Sequence, residues 1–457
     1  MAIDSAPAEI ETTGFQAFAE IDHPATSELR QTADASVLSR FGSSRWAPAG
    51  ILLASVFVTL VFWRVLPSSF RMNEQSDYPG FYKPVAESIL AGRGFARGDE
   101  NPATAYPPGY SLVLAGTFKL SNWLGVSEEF GLSAVAALGM ALATVFLFLM
   151  ARDLFGPLPA LVSAIIWMTY PFALWLTKQP NSEIPFMAVF YGGLCLFWYA
   201  LARRKSAPVY FWCGLIFGFA MLIRPIAIGI AVVLSLIIWL VRRELSIGAR
   251  GLLIAMLLLG NFVAVFPWEA WVYHKTGQVI PLSASGIKGM RDGLTFAVTS
   301  KGYREESGVS PDVTEVMKDI LAQADQITSV GQLSSVVARE FRSHPTAVTK
   351  LFLLKIARSW YGTDSGRKEW PILLIQLGYF VLFSWAGWQG WKRGGINKSF
   401  VVGSLLIVVY FWGMTFLALS ILRYMAPAVG LLAVLIAAGF PRRVHPESLQ
   451  LAKTTWP

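Results

Sequence analysis

WAPAGILLASVFVTLVFW, residues 46–63, carries no charged side chain over eighteen positions and is soon followed by SDYPGFYKPVAESILAGRGF at 76–95. At about 1.5 Å per residue a helix of that length reaches roughly 27 Å, close to the hydrocarbon thickness of a bilayer. The two segments set a pattern of apolar crossing and polar loop. The loop carries a carboxylate, Asp77, ringed by Tyr78, Phe81 and Tyr82.

Similar uncharged runs recur at 132–151, 158–177, 184–202, 251–268, 370–391, 399–422 and 424–441. Residues 207–241 are apolar for about two crossings and are broken by Arg224 and Pro225, which reads as a tight hairpin near one interface. With 54% hydrophobic and 15% charged residues, a soluble globule of 457 residues would lack polar surface. The expected fold is therefore an all-α polytopic membrane protein of about ten transmembrane helices, with amphipathic helices on its outer face and a helical periplasmic loop.

Basic residues set the orientation, because cytoplasmic loops carry the excess of Lys and Arg. Arg40, Arg45, Arg152, Arg203, Arg204, Lys205, Arg242, Arg243, Arg250, Lys392, Arg393, Lys398, Arg442 and Arg443 fall on one side when spans alternate. The chain then divides into a disordered cytoplasmic tail (1–45), a membrane core (46–268) containing a first outer loop (64–130), a long periplasmic loop (269–369), C-terminal spans (370–441) and a second cytoplasmic tail (442–457). Residues 110–125 are too short to cross and include Lys119, so they read as a helix on the outer face.

The net charge of +9 is a topology signal on this reading, and nucleic acid is not an expected partner. Cys195 and Cys213 fall within spans, which leaves no disulfide framework. No apolar core preceded by basic residues marks a signal peptide, and no phosphate-loop, dinucleotide, GxSxG or HExxH motif is present.

The outer loop has its own punctuation. Lys83–Leu90 forms a weak amphipathic pattern that Gly92 would end, and RGFARGDENPATAYPPGYSLVLAG at 93–116 places Pro107, Pro108 and Gly109 before the next helix. Tyr106 and Tyr110 flank that turn as interface aromatics.

Asp-x(4)-Tyr, then Ile-Leu-x-Gly-x-Gly-Phe, then Tyr-Pro-Pro-Gly-Tyr resembles the first outer loop of the GT-C superfamily of membrane glycosyltransferases. The similarity is to the bacterial branch related to protein mannosyltransferases and the lipid A aminoarabinose transferase. Further pieces follow in order: NSEIPFMAVFYGGL (181–194), GFAMLIRPIAI (218–228), FPWEAWVYHKTGQVIPLSASG (266–286) and RYMAPAV (423–429). The resemblance implies that Asp77 is the catalytic carboxylate, assisted by Glu183, and that the family's cationic turns correspond to Arg224 and Arg423. Where family members carry an Arg-Asn pair after the Pro-Trp corner, this chain has Trp271 and Val272. Metal dependence is not carried over, although Asp77 and Glu183 are the ligands to expect if a divalent ion takes part.

Transfer from a polyprenyl phosphate needs a base for the acceptor proton and cations for the departing phosphate. Asp77 fits the first need; Arg224, Arg423 and Lys178, at outer span ends, fit the second. Plainer readings stand beside these. Glu183 is also placed to favour a helix dipole after Ser182, and the three cations also suit interface anchors. Tyr78, Tyr82, Tyr106, Tyr110, Trp268 and His274 are candidate substrate contacts, with belt aromatics and a solvated histidine as the alternatives.

In the long loop, Val313, Val316, Met317, Ile320, Leu321, Ala324 and Ile327 follow helical spacing, as do Leu333, Val336, Val337 and Phe341. A helical cap over the outer face is expected. The functional expectation is an inverting transferase in a bacterial inner membrane, active on its periplasmic face, with a polyprenyl-phosphate sugar as donor, an outer-face acceptor and lipid as surroundings. The alternative is a transporter or flippase for a lipid-linked glycan. Such a protein favours charges within spans and duplicated halves, and the span interiors here carry neither feature.

Overall fold

The computed structural model describes residues 38–67, 77–299, 309–366 and 368–440. Arg442, Arg443 and almost all of both expected tails lie outside these residues. The described chain is helical, and its one strand-like feature is an isolated bridge between Arg97 and Glu100. Backbone groups in hydrocarbon have no water to bind, so helices are the form an apolar chain of this kind can take there.

Six helices are long and apolar enough to cross a membrane: α1 (Ala47–Val65), α4 (Glu128–Phe155), α7 (Glu183–Ala202), α10 (Ile247–Thr276), α16 (Glu369–Arg393) and α17 (Gly395–Leu417). Shorter apolar helices are α5 (Pro157–Met168), α8 (Ala207–Ile223), α9 (Ile230–Val241, entered through a 3-10 turn from Pro225) and α18 (Leu422–Ala438). The molecule is a multi-pass membrane protein. The expected span at 158–177 is two pieces, because Pro171 cannot donate to the preceding turn; α5 stops at Met168 and α6 (Pro171–Leu176) restarts the helix. Beyond residue 268, α10 runs on to Thr276, so the first part of the 269–369 segment is helical.

Burial is inverted relative to a soluble helix. In α1 the stripe Ala47, Ile51, Ser55 and Thr59 faces inward while Leu53, Phe57 and Leu60 face out. Ser55 and Thr144 of α4 share a hydrogen bond of 3.1 Å, the small-residue and polar contact by which helices associate in lipid. Backbones come closest between α8 and α10. A Cβ on Gly214 would lie 1.9 Å from Leu257 O, and one on Gly260 2.0 Å from Phe211 O.

The expected amphipathic pieces form α2 (Lys83–Leu90) and α3 (Gly109–Leu124), and α3 packs on α2, α4 and α8. Its buried face holds Leu114, Ala115 and Phe118 while Lys119 is exposed. The long segment between α10 and α16 contributes α11 (Gly286–Leu294), α12 (Phe296–Thr299), α13 (Pro311–Ala322), α14 (Val330–Ser343) and α15 (Pro345–Arg358). Val313, Val316, Met317 and Ile320 of α13 share a separate core with Leu333 and Val336 of α14. Phe341, expected in that stripe, is exposed, and Ala347, Val348 and Leu351 of α15, a helix not anticipated from the sequence, take part.

Candidate active site

Asp77 has helical backbone angles and directly precedes a helical turn. Tyr78–Tyr82 form a single π-helical turn that runs directly into α2, a local widening often found at functional positions. Arg97 holds the turn from outside, donating to Gly80 O at 3.1 Å with its guanidinium 5.6 Å from the Phe81 ring. From inside, Tyr106 donates its hydroxyl to Asp77 Oδ1 at 3.0 Å. Burial, with the carboxylate alongside, raises the Tyr106 hydroxyl well above its usual range, so Tyr106 stays a donor.

Tyr106 reaches Asp77 because Gly109 seats the Pro-Pro turn directly on α8. A Cβ there would lie 2.6 Å from Leu222 O. The same stretch of α8 leads, two residues later, into Arg224, whose backbone is extended before the 3-10 turn Pro225–Ala227. Tyr410 of α17 fixes this hairpin, donating to Ile226 O at 2.7 Å and accepting from Gly229 N–H at 2.9 Å.

Glu183 opens α7 and is 4% exposed, a depth at which a carboxylate requires charged partners. It has two. Arg224 Nη1 lies 2.6 Å from Glu183 Oε1 and 2.9 Å from Ser182 Oγ; Arg423 Nε lies 3.7 Å from the same oxygen. The helix itself is capped by Asn181, whose Oδ1 accepts from the N–H groups of Glu183 and Ile184 at 3.1 and 3.3 Å. Ser182, the residue just before the helix, makes no such cap and meets Arg224 through its hydroxyl.

Arg423 stands at the start of α18, which Tyr191 of α7 ties down by donating to Ala426 O and Pro427 O. Its Nη2 reaches Asp364 Oδ1 at 3.4 Å. Its Nε is buried with no hydrogen-bond partner among the described residues. Tyr424 lies beside both guanidinium groups, 5.1 Å from Arg224 and 5.2 Å from Arg423.

These elements enclose a cavity of about 270 Å³ lined by Asp77, Tyr78, Tyr82, Tyr106, Glu183, Arg224 and Arg423. One wall is apolar, from Ile226, Ile228, Met414 and Leu417, and another is polar, from Asn181, Ser283 and Ser285. Ser283 and Ser285 arrive from the segment that follows α10. Their stretch is sewn to the segment between α2 and α3 by Ala284 N–H to Thr104 O (2.9 Å) and Ser283 Oγ to Ala105 O (2.6 Å).

Four candidates stand away from the cavity. Lys178 lies 3.5 Å from the Trp175 ring centroid, and burial lowers its ammonium to about 8. Tyr110 is packed edge-on against Tyr82. Trp268 is buried against Phe95 and Trp271; His274 is exposed on the last turn of α10. For the cavity-lining residues missed in the sequence, the signals were uneven. Asn181 and Tyr424 sit next to residues singled out, whereas Ser283 and Ser285 are placed by tertiary contacts with no local signature.

Glu183 is poorly disposed to hold a metal. Its Oε1 is taken by two guanidinium groups, and coordination would leave Arg224 buried beside a neutralised partner.

Residues 105–271 match the family model of dolichyl-phosphate-mannose-protein mannosyltransferases. The match takes in Tyr106, Glu183 and Arg224; Asp77 and Arg423 lie outside it. The structure superposes on a crystal structure of ArnT from Cupriavidus metallidurans bound to undecaprenyl phosphate, with a TM-score of 0.52 at 16% identity, over 89% of this chain and 62% of that one. The fold is GT-C-like. The resemblance to the GT-C glycosyltransferases read from the outer loops is thereby borne out for this membrane architecture. The archaeal oligosaccharyltransferase AglB from Archaeoglobus fulgidus, in complex with an inhibitory peptide and a dolichol-phosphate, aligns at a TM-score of 0.46 and 12% identity over 90% of this chain and 52% of that one. This GT-C-like chain thus spans less than two thirds of the length of these solved structures. No curated protein matches its sequence.

Proposed function

We propose that this protein is an inverting glycosyltransferase of a bacterial inner membrane. It would move a sugar from a polyprenyl-phosphate donor to an acceptor at the periplasmic face, with Asp77 as base. One observation carries the reading. Asp77, Arg224 and Arg423, far apart in sequence, line one cavity that also has an apolar stretch, Ile226, Ile228, Met414 and Leu417.

The chemistry follows from the placement. An acceptor hydroxyl or amine entering beside Ser283 and Ser285 gives its proton to Asp77 as it attacks the anomeric carbon from the face opposite the phosphate. Tyr106, held protonated, orients the carboxylate and leaves Oδ2 for the incoming proton. The leaving phosphate gains negative charge as the bond breaks, and a guanidinium aimed at it lowers that barrier. Arg423 suits this role because its buried Nε makes no hydrogen bond among the described residues, Glu183 Oε1 standing 3.7 Å away. Glu183 keeps both arginines in place, and the isoprenoid tail runs along Ile226, Ile228, Met414 and Leu417 toward lipid.

The ten-span topology and the outward orientation belong to this proposal. The test is to incubate the purified protein in lipid with a panel of undecaprenyl-phosphate sugars and measure carrier release. One donor should be consumed by the wild type and spared by Asp77→Asn. Full turnover by that variant would remove Asp77 as the base.

A further inference from the structure

Outside the cavity, one cluster of side chains in the outer cap has the composition of a ligand set. Asp319 of α13, Glu340 of α14 and His344 each offer one ligand atom, and these atoms lie within 4.8 Å of one another. The backbone N–H of His344 donates to Glu340 O at 2.7 Å, so helical spacing persists through His344 and an i, i+4 pair shares one face. Asp319 meets that face from the neighbouring helix.

Glu340 marks the cluster as more than surface charge. It is 7% exposed and makes no hydrogen bond through its carboxylate among the described residues. Its nearest cation, Arg339 Nε, lies 3.9 Å away on the adjacent residue, while Arg339 is engaged through Nη2 with Gln323 Oε1. This largely covered carboxylate faces a second carboxylate and an imidazole with only the long Arg339 pair as cationic partner among the described residues, an arrangement to which a bound cation would add compensation.

We propose that Asp319, Glu340 and His344 bind a divalent transition ion of the zinc class. Two carboxylate oxygens and one imidazole nitrogen favour zinc over calcium or magnesium, which prefer all-oxygen shells. Zinc bonds of about 2.0–2.1 Å place tetrahedral ligand atoms about 3.4 Å apart. Asp319 and His344, both exposed, close that gap by side-chain rotation, and solvent takes the fourth position.

None of the three residues lines the cavity, so the ion's effect is structural. It ties α13 to the corner where Pro345 begins α15. That helix carries Lys355, whose Nζ donates to Gly293 O at 2.8 Å and to Ala418 O at 3.0 Å on the cavity rim.

The test uses full-length, tag-free protein in lipid nanodiscs, stripped with EDTA and dialysed against micromolar zinc chloride, with bound zinc measured by elemental analysis. The wild type should bind about one equivalent, and His344→Ala and Asp319→Asn should each weaken binding at least about tenfold. A control, His274→Ala, should bind as the wild type does. Thermal unfolding separates lost binding from misfolding. Stripped variants should match the stripped wild type, and added zinc should raise the transition of the wild type alone. Absence of bound zinc in the wild type, or undiminished affinity in both variants, overturns the proposal.

Discussion

The two carboxylates of the cavity stand in opposite conditions. Asp77 lies at the start of the π-helical turn, half-buried, with one hydrogen bond among the described residues, from the Tyr106 hydroxyl to one oxygen. Glu183 lies at the mouth of a transmembrane helix, almost wholly covered, with a guanidinium at 2.6 Å and a second at 3.7 Å. A carboxylate whose charge is already spent on two arginines is ill suited to accept a substrate proton. One with a free oxygen is suited to it. Under the proposed function the contrast sets Asp77, expected from the sequence as the base, apart from Glu183, which there organises the arginines in place of assisting the base.

Mutation can break that division most directly at Asp77. Asp77→Asn should lower carrier release by about 10²–10⁴-fold, the usual contribution of a positioned base, with an unchanged thermal transition. Glu183→Gln should act through stability. Leaving Arg224 and Arg423 buried without their shared anion costs about 3–5 kcal/mol, which thermal unfolding in detergent or lipid would report. If instead Glu183→Gln folds normally and merely slows release, the two roles are reversed.

Smaller effects sharpen the comparison. Arg423→Ala should raise the KM for the donor by about ten- to a hundredfold, the worth of a charged hydrogen bond of roughly 1.5–3 kcal/mol, when initial rates are followed against donor concentration. Tyr106→Phe removes one hydrogen bond from Asp77 and should cost about 1 kcal/mol of transition-state stabilisation, seen as a several-fold fall in kcat/KM. Lys178→Ala, at a residue outside the cavity, should leave kcat/KM within about twofold, since a change there touches no group that meets the donor.

The architecture was legible in the sequence because lipid imposes one rule on every span. Uncharged runs of bilayer length predicted α1, α4, α7, α16 and α17, and the Arg224–Pro225 break foretold the hairpin after α8. Breaks governed by local chemistry were harder. Pro171 divides an expected crossing, while Pro267 leaves α10 whole. Proline thus has opposite outcomes in two apolar segments, and tertiary packing makes the choice.

The site was legible where charge interrupts apolar sequence. Glu183, Arg224 and Arg423 stand out against hydrophobic neighbours and Asp77 opens the aromatic turn of a polar loop, and all four reach the cavity. Lys178 at a span end, the aromatic Trp268 and His274 past the Pro-Trp corner were also singled out and do not reach it. Ser283 and Ser285 had no such contrast. Their position depends on pairing with Thr104 and Ala105, which no local pattern records.

The missing side chain at Gly109 acts as the spacer between the two halves of the proposed reaction centre. No clearance exists there, since even a methyl group would press on the Leu222 carbonyl at 2.6 Å. Gly109→Ala would work as a shim under the loop that steers Asp77, prying it off the helix that ends in Arg224. Catalysis that tolerates about 1 Å of misplacement only at a hundredfold penalty would register that wedge. An absent atom, on this view, sets the gauge of the machine.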